Sequence, residues 1–166
     1  MGAKTAITAD QYLATSFPDL DKEYRDGELV ERSLPDYLHG KTQLLIADFF
    51  AALRKKLSLH GCTETRMKLR NGLYFIPDVA AFHPVQPSKL VPETPPLVAV
   101  EILSPDDRMT EVLDKLQDYR EWGVAHVWLV NPHSKRLYVF AAGLTPVTSL
   151  RIPELGVEMT PGDIFE

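Results

Sequence analysis

Apolar residues recur along this chain in three kinds of pattern, and each predicts a different element. From about His39 to His60, Leu44, Leu45, Phe49, Leu53 and Leu57 return at helical steps. They predict a long amphipathic helix covering a sheet, with Gly61 as its stop. Thr8-Ala9-Asp10 ahead of Gln11-Tyr12-Leu13 predicts a short capped helix near the N-terminus. The segment EYRDGELVER, residues 23–32, alternates about Asp26-Gly27 and predicts a hairpin that puts at least one acidic side chain near the sheet. Strands are expected over Thr63 to Leu69 and Leu73 to Phe82, joined by Asn71-Gly72, with Pro77-Asp78 inside the second.

Residues 83–96, HPVQPSKLVPETPP, lack backbone donors at their prolines and predict a surface loop. Leu97 to Leu103 is a continuous apolar run of strand length, read as a central strand buried on both faces, with Glu101 its one charge. Ser104-Pro105-Asp106-Asp107 resembles a helix start. The spacing of Val112, Leu113, Leu116, Tyr119 and Trp122 carries that helix to a stop at Gly123. Strands over Ala125 to Val130 and Arg136 to Ala142 flank the turn-forming NPHSK, and the tail from Thr148 adds one edge strand and a short closing turn. Strand pairs interleaved with two main helices predict an α/β or α+β fold with a mixed sheet and an N-terminal hairpin. No repeat or linker divides the chain, so one domain over residues 1–166 is expected.

Composition narrows the class. The single Cys62 forms no internal disulfide and no structural zinc site, which fits a reducing compartment. No apolar run reaches membrane-spanning length and no secretion signal opens the sequence, so a soluble, cytoplasmic protein without membrane attachment is expected. A net charge of -5 argues against a surface that sheathes a polyanion. Locally, Arg54, Lys55, Lys56, Arg66, Lys68 and Arg70 are opposed only by Glu64. They form either a basic strip or a solvated helix end followed by an exposed strand. The five histidines fall on separate elements and predict no shared metal site. Trp122 and Trp128 are assigned to packing, in a core or a dimer contact.

A glutamate inside a buried strand loses its hydration, so Glu101 needs a compensating partner. Period-two geometry puts Ala99, Glu101 and Leu103 on one face, and Asp78, Ala80 and Phe82 on one face of theirs; if the strands are neighbours, the carboxylates meet. Two close carboxylates repel unless a cation lies between them, and hard oxygen donors suit Mg2+ or Mn2+. Helical spacing sets Lys115 near Arg108, Glu111 and Tyr119 on the flank of the apolar stripe, within reach of a site beneath the helix. A metal, two carboxylates and a lysine together suit phosphodiester hydrolysis.

The order of IPDVAAF, a loop, LVAVEILSP and DKLQDYREWGVAHVWLVNP, behind EYRDGELVER and the helix from His39, resembles the Uma-type family of restriction endonucleases in the PD-(D/E)XK nuclease superfamily. The resemblance spans nearly the whole chain. It implies a restriction-endonuclease-like fold and a Mg2+-dependent endonuclease acting on DNA. It implies Asp78 and Glu101 as metal ligands together with the Ile102 carbonyl, and Glu28 or Glu31 as an outer carboxylate. The superfamily's lysine usually stands two residues after the glutamate, where this chain has Leu103; Lys115 resembles variants in which it has moved to the next helix. His39, Arg66, Lys68, Arg70 and Arg108 are the candidates for substrate contact, and a homodimer would suit cleavage of both strands. Two other readings stand beside this one: a nuclease-fold protein that binds nucleic acid or a protein without cutting, and a scaffold whose Glu101 is dry and ion-paired with no cavity beside it.

Overall fold

The chain is described here from a computed structural model covering residues 6–166. Thr8 caps helix α1 (Ala9–Ala14), accepting the Gln11 N–H while the Gln11 side chain accepts the Thr8 N–H. Strands β1 (Glu23–Arg25) and β2 (Glu28–Val30) form the expected hairpin, with Asp26 and Gly27 both at positive φ. Helix α2 (Tyr37–Leu57) starts at an Asp36 cap and ends at Ser58, which takes the left-handed conformation expected of Gly61. Gly61 lies instead in β3 (His60–Thr63), where an added Cβ would come 3.0 Å from that of Phe50. The buried stripe of α2 is His39, Thr42, Ile46 and Phe50, with Phe49, Leu53 and Leu57 packed beside it. Leu44 is 67% exposed, so the predicted helical face is rotated from the real one.

After β4 (Met67–Arg70) and the Asn71-Gly72 turn, the predicted Leu73–Phe82 strand breaks into β5 (Leu73–Phe75) and β6 (Val79–Phe82). Pro77 has no N–H to give a ladder, and the Ile76 N–H is bound by Glu23 Oε1 at 2.7 Å. The chain changes sheets at this point. A four-stranded sheet runs β2-β1-β5-β4, all antiparallel. The larger sheet contains β7 (Val98–Ile102), β8 (His126–Asn131), β9 (Arg136–Phe140) and β10 (Leu144–Val147) in the order β10-β9-β8-β7-β6-β3. Its β7–β8 pair is parallel, bridged by α3 (Met109–Trp122), and its remaining pairs are antiparallel.

Two expectations at element ends are corrected. The Ser104–Asp107 segment is a separate turn, with Asp107 Oδ2 accepting the Ser104 N–H, and α3 begins only after Arg108, which provides no side-chain cap. The tail does more than close an edge. β11 (Leu150–Ile152) and β12 (Val157–Met159) pair with each other, and α4 (Pro161–Phe165) follows.

Strand alternation divides the core in two. Val98, Val100 and Ile102 face α2, joined there by Trp128 and by Leu150, Met159 and Ile164 of the tail. Ala99 and Ala80 face α3, whose Leu116 and Tyr119 pack between the large sheet and Phe75 of the small one. Asp78 and Glu101 therefore belong to the α3 side, where a buried charge is tolerated only with a partner. Among the described residues, no helix is long and apolar enough to cross a membrane.

Candidate active site

The β6–β7 register pairs Val79 with Val100, Ala80 with Ala99 and Ala81 with Val98. One step further along that register lies Asp78 opposite Glu101, so the two strands are neighbours and bring both carboxylates to one end of the sheet. Asp78 no longer belongs to the ladder; its Oδ2 accepts the Ile102 N–H at 2.7 Å instead. Its Oδ1 lies 3.2 Å from Arg32 Nη2 and 3.3 Å from His39 Nε2, and the His39 Nδ1 is 3.0 Å from Ser104 Oγ. Burial raises the Asp78 pKa, but the His39 and Lys115 charges and the Ile102 N–H outweigh it, so Asp78 stays ionised.

Glu101 Oε1 accepts the Tyr119 hydroxyl at 2.7 Å and lies 2.9 Å from Lys115 Nζ. The same ammonium lies 2.7 Å from Glu23 Oε1 and is flanked by the Phe75 and Tyr119 rings. Helix α3 thus aims Lys115 into the sheet rather than at solvent. Glu23 and Glu101 share this one lysine, while Asp78, paired with Arg32 and His39, feels its charge from further off. Burial, then the charges of Asp78 and Glu23, push Glu101 up to about 7 despite the pull of Lys115. Burial alone would lower Lys115, but Glu101, Glu23 and Asp78 together hold it above its usual value. These groups line a cleft of about 680 Å³, so Glu101 is ion-paired but not sealed, contrary to the condition for a scaffold reading.

The other sequence candidates are dispersed. Glu31 lies on the cleft rim, exposed and 3.4 Å from Lys22, while exposed Glu28 sits opposite Arg25 in the hairpin. The hairpin carboxylate that reaches the site is Glu23. No spacing rule singles it out, because its direction is set by the pairing of β1 with β5. Arg32, which also bonds Glu64, was equally hidden, since its approach to Asp78 follows from the connector after β2. Arg108 lines the cleft near Glu111 but is largely exposed. Residues 66, 68 and 70 do not make an open strip. Arg70 makes paired bonds to Asp26, Lys68 lies 3.7 Å from Glu93, and Arg66 stacks over the Tyr12 ring. Arg54, Lys55 and Lys56 form the exposed last turn of α2. Among the described residues no three His, Cys, Asp or Glu side chains converge as a ready metal cage.

A crystal structure from Anabaena variabilis, described as that of a putative nuclease belonging to DUF820, superposes on this chain with a TM-score of 0.82. The match covers 96% of this chain and 97% of that one at 19% identity, and it shows a shared fold. No curated protein matches the chain. Residues 9–165 match the Uma2 family, described as "Putative restriction endonuclease", and the chain therefore belongs to that family.

Proposed function

We propose that this protein is a divalent-metal-dependent endonuclease that hydrolyses DNA phosphodiester bonds, with Asp78, Glu101 and Lys115 as its catalytic residues. The observation that carries the reading is the gathering of Asp78, Glu101 and Glu23 around Lys115 at the end of the central strands. Arg32 and His39 answer Asp78, but Glu23 and Glu101 together have only Lys115. The rise of Glu101 to about 7 marks the place where further positive charge would be most stabilising. Two carboxylates with a backbone carbonyl suit Mg2+ or Mn2+, which keep several waters and need no all-protein cage. Asp78, Glu101 and the Ile102 carbonyl would hold the ion.

Bound there, the metal would supply Lewis-acid polarisation of the phosphate and a more acidic water. The chain's own residues do the rest. Lys115, kept protonated by Glu23, offers an ammonium to the attacking water and to charge developing on the phosphoryl oxygens. A new bond forms from water oxygen to phosphorus while the bond to the leaving sugar oxygen breaks; the water's proton passes to solvent, and a solvent proton neutralises the sugar oxygen. Tyr119 fixes Glu101, and Arg32, His39 and the Ile102 N–H fix Asp78, so neither carboxylate reorganises as charge moves. We place this activity in one domain of a cytoplasmic protein, where Cys62 stays reduced, and a homodimer would suit cleavage of both strands.

The internal pairing of the carboxylates with Lys115, Arg32 and His39 favours one rival, a nuclease-fold protein that binds without cutting. Cleavage of plasmid and single-stranded DNA with Mg2+ or Mn2+ separates the two, comparing wild type with Asp78→Ala, Glu101→Ala and Lys115→Ala. Metal-dependent nicking lost in all three variants is the expected result. Folded wild-type protein that cuts nothing under either metal refutes the enzyme.

A further inference from the structure

We infer that the substrate of this site is an unpaired nucleic-acid strand, threaded through the cleft and past Arg66, rather than a continuous duplex. The inference rests on the nuclease reading and adds the form in which the phosphodiester arrives. Its first support is burial: the side chains of Asp78, Glu101 and Lys115 are 5%, 13% and 16% exposed, below the surface that an outer duplex phosphate touches. The second is closure across the cleft. Ser33 Oγ donates to Asp107 Oδ1 at 2.6 Å, joining the connector after β2 to the turn before α3, and Arg25 lies 2.6 Å from Asp118 of α3. Arg25 thereby ties the hairpin to α3, and Ser33 ties the connector to the turn before α3, so the way to the site runs between two walls bonded to each other, an approach that suits one strand better than two.

Charge points the same way. Duplex binding draws on many phosphate contacts, yet the cleft wall carries Glu31, Glu64, Asp106, Asp107, Glu111 and Asp114 in addition to the site carboxylates. Of the β4 cations, Arg70 is held by Asp26 and Lys68 lies beside Glu93. A single strand needs less: a few cations and apolar surface for its exposed bases. The cleft offers Leu20, Val30, Pro35, Leu103 and Val112 as such surface, and about 680 Å³ is within the range that encloses one small organic ligand.

Glu64 is also part of a second, polar pocket of about 390 Å³, which contains Arg66, Lys22, Thr15 and Ser16 beside the acidic Asp21. The Arg66 Nε is buried with no acceptor, and the guanidinium, which lies 5.2 Å over the Tyr12 ring and 3.5 Å from the Leu13 carbonyl, forms no ion pair among the described residues. A buried donor without a partner costs about 1–3 kcal/mol, and a phosphate oxygen is the acceptor that guanidinium geometry suits best. Ile76, which lines this pocket, is two residues from Asp78, at most about 7 Å along the chain. Glu64 lines both pockets, so the Arg66 pocket adjoins the cleft, and a phosphate held there belongs to the strand that leaves it.

Binding, read apart from cutting, tests this. Fluorescence anisotropy with the Glu101→Gln protein in EDTA compares a single-stranded oligonucleotide, its blunt duplex and the same duplex carrying a single-stranded tail. The strand and the tailed duplex are expected to bind at least about ten-fold more tightly than the blunt duplex, as one or two base contacts would give. Ser33→Ala, added to that protein, should narrow the preference by opening the cross-cleft contact. Arg66→Gln should lower the slope of log affinity against log salt by about 0.7, the loss of one single-strand phosphate contact. Equal or tighter binding of the blunt duplex, no binding of any form, or an unchanged salt slope overturns the inference. Strand preference in a wild type that never cleaves would overturn the nuclease and keep this inference; nicking of closed duplex with no strand preference would do the reverse.

Discussion

Replacing Glu101 by glutamine removes a buried negative charge while preserving the side chain's shape and an acceptor for the Tyr119 hydroxyl. In the native protein, burial and the neighbouring Asp78 and Glu23 push Glu101 up to about 7, from 4.5 for an unhindered glutamate. At 1.36 kcal/mol per pKa unit, ionising Glu101 costs the folded state on the order of 3 kcal/mol. The sign follows from linkage. The native state holds this proton more tightly than the unfolded chain, so the stabilising contribution is complete below pH 4.5 and lost as pH rises through about 7. Glutamine keeps the neutral form at every pH, and Lys115 retains Glu23 at 2.7 Å. Urea denaturation above pH 7 should therefore find Glu101→Gln more stable than wild type by up to about 3 kcal/mol, or about 1–2 M in midpoint. The difference should vanish below pH 4.5, and the titration of His39, common to both proteins, cancels in the comparison. Saturating Mg2+ should stabilise wild type alone, by about 2.7 kcal/mol at a hundred times the dissociation constant. A variant no more stable than wild type above pH 7 would refute the claim that this cluster is over-charged.

Lys115→Met leaves Glu23 and Glu101 buried without their shared ammonium. It should abolish cleavage and destabilise by about 3–5 kcal/mol in urea, with part of that loss recovered by adding Glu101→Gln. Gly72→Ala places a side chain at φ +80° and 2.8 Å from Asp26 Oδ1, so thermal melts should show a loss of at least about 1–2 kcal/mol. Phe50→Ala opens a cavity beneath Trp128, whose ring centroid lies 6.1 Å away, and should cost about 3–5 kcal/mol with a change in tryptophan fluorescence.

The elements that bury their own pattern were legible in the sequence, and so was the half of the site built on them. Asp-Gly and Asn-Gly turns, the apolar run through Glu101 and the Gly123 stop each act through local backbone chemistry, and the structure agrees with each. Alternation put Asp78 with Ala80 and Glu101 with Ala99, which sufficed to bring the carboxylates together once the strands paired. Decisions made by tertiary contact stayed hidden. Leu44 fits the period of α2 yet points outward, because Ile46 and Phe50 take the sheet. Pro77 marked a break only in a sheet where Ile76 had Glu23 to bond instead of a ladder partner. Glu23 rather than Glu28 or Glu31 reaches Lys115 because β1 lies against β5, a pairing between residues about fifty positions apart.

The place of the lysine makes the site depend on that long-range packing. Leu103 stands two residues after Glu101, on its face of β7, and packs in the cluster beneath α3 with its N–H bound to the Val130 carbonyl. A lysine there would take its position from the strand alone. Lys115 instead takes its position from α3, which must first dock Leu116 and Tyr119 between the two sheets. Its ammonium then passes the Phe75 ring to reach Glu23 and Glu101. The docking of α3 that buries Glu101 also delivers its counter-charge, so the site forms only when the hairpin, the small sheet and α3 are all in place. Loss of the site with urea should therefore coincide with the unfolding transition followed by Trp128. An earlier, separate disappearance of Mg2+ binding would show that α3 carries Lys115 on a unit that opens by itself.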